Sequence, residues 1–133
     1  MGTPSPSPSA GDPVVTLVRT GGFAGVHDQV TIGADGTWTA TDRGGNQRSG
    51  RLSDQQREKL RGLAADPRLA NEATQARAAT KCADVFEYAL TVNTTRVKFI
   101  DCPTDKDLPR AAIAVVALVT QTVWGHPPAT LEY

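Results

Sequence analysis

Apolar and polar residues alternate along the first third of the chain with the period of two that marks a half-buried strand. From Val14 to Arg19, Val15 and Leu17 share one parity, and Val14, Thr16 and Val18 share the other. From Val26 to Ile32, Val26, Val30 and Ile32 fall together. From Thr37 to Thr41, Trp38 and Ala40 oppose three threonines. Alternation of this kind leaves one face wet, which predicts an antiparallel sheet. Asp35-Gly36 predicts a two-residue hairpin turn between the second and third strands. The first and second are joined by Gly21-Gly22-Phe23-Ala24-Gly25, three glycines around one large aromatic. Glycine reaches positive φ without a steric penalty, so this run turns tightly or approaches another backbone closely. It reads either as a hairpin turn with Phe23 plugging the core or as a recognition loop that offers Phe23 to a partner.

The pattern then changes. Residues 42–50 are polar and glycine-rich, and predict an exposed loop. Ser53-Asp54-Gln55-Gln56 matches a capping box, and Leu60, Leu63 and Ala64 form an apolar stripe, predicting a helix from Asp54 to about Ala65, ended by Asp66-Pro67. Residues 68–81 carry many alanines and few large apolar side chains, and predict a mobile stretch with at most a short turn or helix. Residues 83–92 and 95–102 predict a hairpin through Asn93-Thr94, with Val92 opposite Thr95, Leu90 opposite Val97 and Tyr88 opposite Phe99, all on one face. Asn93-Thr94-Thr95 also fits a glycan acceptor, but the tight turn explains it. The same register sets Cys102 opposite Val85, three residues from Cys82, so a slight bend brings the sulfurs together; the alternative is two buried thiols. A disulfide closing a loop of about twenty residues contributes roughly 3 kcal/mol. Leu108-Pro109 opens a last helix that runs through Ile113, Val116 and Val123 to Trp124 and stops at Gly125, ahead of Pro127-Pro128. Apolar on most sides, it is expected to lie buried across the sheet. The order is β-β-β-α-β-β-α: an α+β fold with four to five antiparallel strands and two helices on one face.

Composition adds context. At 133 residues the chain predicts one domain, residues 13–126, between a Pro/Ser-rich linker at 1–12 and a loose tail at 127–133. Met1-Gly2 reads as an added start and Leu131-Glu132 as an added end. Fourteen basic and fourteen acidic side chains cancel, with no block of either sign, which argues against nucleic acid or an anionic membrane as partner. No apolar run is long enough for a bilayer span. Pro/Ser tethers commonly follow a removed signal peptide or a lipid-modified cysteine, so the expected location is extracytoplasmic: secreted, or held on a bacterial envelope by a lipid tether upstream of residue 1. Cysteines in that setting are expected to pair.

Candidate chemistry is sparse. His27 and Asp28 are neighbours in a strand and point to opposite faces, which is poor geometry for a dyad. His126 lies beyond the last helix. Asp84 and Glu87 diverge in the same way and read as solvated acids. Two histidines and two cysteines without close spacing do not make a metal site. The glycine run opens a strand rather than a helix and lacks a lysine, so it is no phosphate loop. The expectation is a non-enzyme without cofactor or metal, with no catalytic residue to name.

Arg19-Thr20-Gly21-Gly22-Phe23-Ala24-Gly25-Val26, at the end of the first strand, resembles the Arg-(Ser/Thr)-Gly-Gly-Phe-Ala-Gly signature of emfourin-like proteins. The later order is similar too: a leucine-led helix from Leu52-Ser53 to Leu63, an acidic residue before an aromatic strand in Asp84 to Val92, a short partner strand, and a proline-started helix from Leu108-Pro109. The resemblance spans roughly residues 14–124. It implies a proteinaceous inhibitor of thermolysin-like zinc metallopeptidases, whose partner is the protease and which needs no cofactor. Such enzymes favour a bulky apolar residue after the scissile bond, and Gly22-Phe23-Ala24 has that form. The implied protease-binding residues are Arg19, Gly21, Gly22, Phe23, Ala24 and Gly25, with Phe23 as anchor and Arg19 near the rim. The competing expectation is a tethered extracytoplasmic binding module of unknown ligand without inhibitory activity.

Overall fold

The structure, a computed structural model, describes residues 13–22, 25–75, 82, 85–102 and 108–125. The linker at 1–12, the tail, Phe23, Ala24, Asp84 and His126 therefore lie outside the described residues.

Six strands form one antiparallel sheet: β1 (Val15–Gly21), β2 (Val26–Ile32), β3 (Thr37–Thr41), β4 (Gln47–Arg51), β5 (Phe86–Val92) and β6 (Thr95–Ile100). Their spatial order is β4-β3-β2-β1-β5-β6. Three helices complete the fold: α1 (Asp54–Ala64), α2 (Arg68–Thr74) and α3 (Arg110–Trp124). The α+β class is as expected, but with six strands and three helices rather than four to five and two. Parity decides the layers. Val15 and Leu17 of β1, Val30 and Ile32 of β2, Leu90 and Val92 of β5, and Val97 and Phe99 of β6 are buried in one cluster. Leu60 of α1, Leu69 of α2 and Ile113, Val116 and Val119 of α3 join them there. The threonines of the other parity remain half-exposed or exposed. α3 buries nine of its fifteen residues, as its apolar sequence requires.

The β5–β6 hairpin has the expected register, with Tyr88↔Phe99, Leu90↔Val97 and Val92↔Thr95. Asn93 takes φ +54° in its turn and ties β1 to it, accepting the Val14 amide on its side chain at 3.0 Å. The capping box of α1 forms in both directions: Ser53 Oγ accepts from the Gln56 amide at 3.1 Å, and Gln56 Oε1 accepts from the Ser53 amide at 2.8 Å. Cys82 and Cys102 are disulfide-bonded, with Cα atoms 5.8 Å apart.

Two expectations change, and one left open between turn and helix is decided. The connection between β2 and β3 is not a two-residue loop. The ladder opens at Ile32↔Trp38, and the chain turns through Gly33–Gly36, where the Gly36 amide donates to the Gly33 carbonyl at 3.0 Å. The stretch 42–50 is not all loop, because Gln47–Arg51 pairs with β3 from Thr41↔Gln47 to Thr37↔Arg51. As an edge strand, β4 shows no apolar alternation. Its inward positions are Gly50, which leaves room for the Trp38 indole (a Cβ there would sit 2.6 Å from the ring), and Arg48, which donates to the Val123 carbonyl at the end of α3. The alanine-rich stretch contains a defined helix, α2, held by Leu69 (4% exposed) and Glu72 (7% exposed). The Glu72 carboxylate accepts the Ala111 and Ala112 amides, both at 2.9 Å. It thereby satisfies first-turn donors of α3, whose own N-cap, Pro109, offers no side-chain oxygen.

Candidate functional site

The site builds up from one row of the sheet. Arg19 has the inward parity of Val15 and Leu17, and Asp28 that of Val30 and Ile32. The ladders place Arg19 beside Asp28 on β2 and Tyr88 on β5, with Phe99 beyond on β6. A core face that is apolar over two rows therefore becomes polar at its third. Arg19 Nε and Nη2 both donate to Asp28 Oδ2, at 3.0 and 2.6 Å, and the two residues are each only 8% exposed. The guanidinium lies over the Trp124 ring at 3.9 Å and over the Phe86 ring at 4.6 Å. Two aromatic faces and one carboxylate thus compensate a cation that burial alone would penalise. Tyr88 stacks on Phe99 with ring centroids 5.4 Å apart and meets Phe86 edge-on at 6.3 Å. Burial, reinforced by the Asp101 carboxylate and only partly opposed by Arg19, pushes the Tyr88 phenol up to about 12, so it is neutral at any physiological pH.

The glycine turn sits on this foundation. Gly21, Gly22 and Gly25 have φ of +91°, +76° and +65°. The Gly22 amide donates to the Val85 carbonyl at 3.0 Å, and a Cβ on Gly22 would fall 2.7 Å from the Phe86 ring. Positive φ and close approach both require glycine there. The Gly25 amide closes the turn on the Gly22 carbonyl at 3.2 Å, and Arg43, from the β3–β4 connection, donates to the Gly25 carbonyl at 2.9 Å. The base of the turn is thus tied to β5 on one side and to the β3–β4 connection on the other. Cys82, three residues before Val85, fastens the same segment to fully buried Cys102.

Of the expected site residues, Gly21, Gly22 and Gly25 frame the turn, and Arg19 lies beneath it, buried rather than at an exposed rim. Compared with family models and with curated proteins, the chain matches none.

Beside the turn is a cleft of about 330 Å³. The β3–β4 hairpin and its connection form one wall through Thr41, Asp42, Asn46 and Arg48; Asp28 and Trp124 form the other. The pairing Gln29↔Thr41 carries Asp42 to the position next to Asp28. Asp42 Oδ1 accepts the Gly44 and Asn46 amides, both at 2.9 Å, and Oδ2 accepts from Asn46 Nδ2 at 3.2 Å. The Asn46 side-chain contact, then the turn amides, hold the Asp42 carboxyl below the usual range, so it stays ionised.

This arrangement contains no nucleophile aligned with a base. Among the described residues, no three His, Cys, Asp or Glu side chains converge as metal ligands would. What it can do is hold the base of the glycine turn in place and offer a charged cleft at its side. Asp28 was weighed from sequence only as a partner for His27, and Tyr88, Phe86, Trp124, Asp42 and Arg48 were not named as site residues. A signal was present: Arg19 and Asp28, opposite in charge, have the inward parity of successive antiparallel strands.

Proposed function

We propose that the chain is a proteinaceous inhibitor of thermolysin-like zinc metallopeptidases that docks its β1–β2 turn at the protease cleft. The supporting observation is preorganisation of the base of the turn. That base has hydrogen bonds to β5 and to Arg43, glycines whose conformations other residues resist, and the aromatic-flanked Arg19–Asp28 pair below. A segment already held in one shape loses little entropy on binding. Phe23, which follows Gly22 in sequence, is the anchor of this reading, and an aromatic anchor commonly contributes 2 kcal/mol or more. The resemblance of residues 19–26 to the emfourin-like signature supplies the target class. Arg19 serves here by supporting the turn.

The disulfide favours a location outside the reducing cytoplasm. The proposed setting is accordingly secreted or cell-envelope, in a bacterium, with the Pro/Ser stretch as tether and a lipid anchor as one means of attachment.

The test is a titration of the domain into thermolysin and related peptidases while peptide hydrolysis is followed. Hydrolysis falls with added domain, and Phe23→Asp abolishes the effect without changing the melting temperature. Full hydrolysis at micromolar excess across the panel refutes inhibition. The cleft beside the turn favours the second reading in that event, a tethered binding module without inhibitory activity.

A further inference from the structure

We infer that the cleft between the β3–β4 connection and the end of α3 is a seat for one cationic side chain, lysine or arginine, of the protein that docks on the neighbouring turn. Charge complementarity carries this. Asp28, on β2, and Asp42, one residue past the end of β3, come side by side just beyond the Gln29↔Thr41 pair, an arrangement that costs stability unless something positive lies near. Arg19 answers only part of it. Its Nε and Nη2 both donate to Asp28 Oδ2, and Asp28 Oδ1 receives no hydrogen bond among the described residues although the residue is 8% exposed and lines the cleft. Asp42 keeps its charge, because its partners are turn amides and an uncharged side-chain amide. The C-terminal end of α3 adds the negative pole of a helix at the same wall. The cation of the facing wall, Arg48, also lines the cleft, but it donates to the Val123 carbonyl and so answers the helix end. Trp124 completes the seat with an indole that already holds one guanidinium. At about 330 Å³ the space has room for one such side chain.

The seat and the turn form one surface, since Arg43, next to Asp42, donates to the Gly25 carbonyl. Only the identity of the partner rests on the inhibitory reading; the cation seat rests on the cleft. A docked protein would place its apolar site against the turn and a basic residue at the cleft.

Two measurements separate these ideas. In the first, N-acetyl-arginine amide and N-acetyl-lysine amide are titrated into the isotope-labelled full chain while the Trp124 Nε1–H and Asn46 side-chain amide resonances are followed. Both probes produce saturable shifts that weaken with added salt. Neutral N-acetyl-norleucine amide produces none. Asp42→Asn, which keeps the Oδ1 acceptor for the two turn amides but gives up the acceptor for Asn46 Nδ2, weakens the cationic probes by up to about fivefold while the chain stays folded. No saturable shift, equal shifts from the neutral probe, a response to calcium chloride alone, or equal affinity in Asp42→Asn each overturn the seat. In the second, Asp42→Asn is compared with the unsubstituted chain against an inhibited peptidase. A weaker inhibition constant with the turn intact supports the joint surface, and an unchanged one overturns it. If no peptidase is inhibited, the inhibitory reading fails while the probe titration still decides the cleft.

Discussion

The two ends of the sheet's inner face are built on different physics. At one end Val15, Ile32 and Val92 share a row, and Leu17, Val30 and Leu90 the next, all within 4% exposure. At the other end Arg19 lies between Asp28 and Tyr88, with Phe86 and Trp124 over its guanidinium. Apolar burial has no direction, so the first end is held by volume and tolerates any side chain that fills it. The second depends on partners in fixed places, and a partner removed leaves the other stranded. The base of the glycine turn adjoins the directional end, so it is supported by the least forgiving contacts of the sheet.

The comparison is broken most severely by isolating the buried guanidinium. Asp28→Ala is expected to cost about 3–5 kcal/mol in denaturant unfolding, whereas the double replacement of Arg19 and Asp28 by apolar residues of similar volume is expected to cost far less. A near-zero effect of Asp28→Ala would mean that the pair contributes nothing at this end. Reducing the Cys82–Cys102 bond comes next, at about 3 kcal/mol, read as a lower denaturation midpoint that reoxidation restores. A sharper contrast pits two conservative changes against each other. Leu17→Ile is expected to stay below about 1.5 kcal/mol, and Arg19→Lys to exceed it, because lysine keeps the charge but loses the planar stack and the paired donors. Equal costs would erase the distinction between the ends. The smallest effect is one of pH. The folded Tyr88 phenol titrates near 12 against an ordinary 10.0, so the unfolded chain releases its proton first. Stability is therefore unaffected below the unfolded value and falls as pH rises from about 10 to about 12, by at most about 1.4 kcal/mol per unit. Tyr88→Phe should remove that slope.

Much of this fold could be read from residue order. The β5–β6 register followed from Asn93-Thr94 and the shared parity of Tyr88, Leu90, Val97 and Phe99. The capping box of α1 and the disulfide followed from spacing. The elements that escaped are those whose inward positions are not apolar. β4 turns Gly50 and Arg48 inward, and α2 is held by one leucine and a carboxylate that serves another helix. Hydrophobic periodicity cannot register a glycine that makes room for Trp38 or a glutamate that caps α3. The candidate site divides in the same way. The glycine turn was conspicuous as composition. Its foundation was hidden because Arg19 and Asp28 look like surface residues until their parity is set against that of a strand partner.

Glu72 has a consequence for the order of events in folding. The α3 amides that it accepts belong to residues 39 and 40 positions later in the chain. α3 therefore acquires its N-terminal cap only after a loop spanning β5 and β6 has closed, and as an isolated peptide it would fray from Ala111 onward. The two helices should accordingly gain and lose protection as one cooperative unit in native-state hydrogen exchange, although the whole of the second hairpin separates them in sequence.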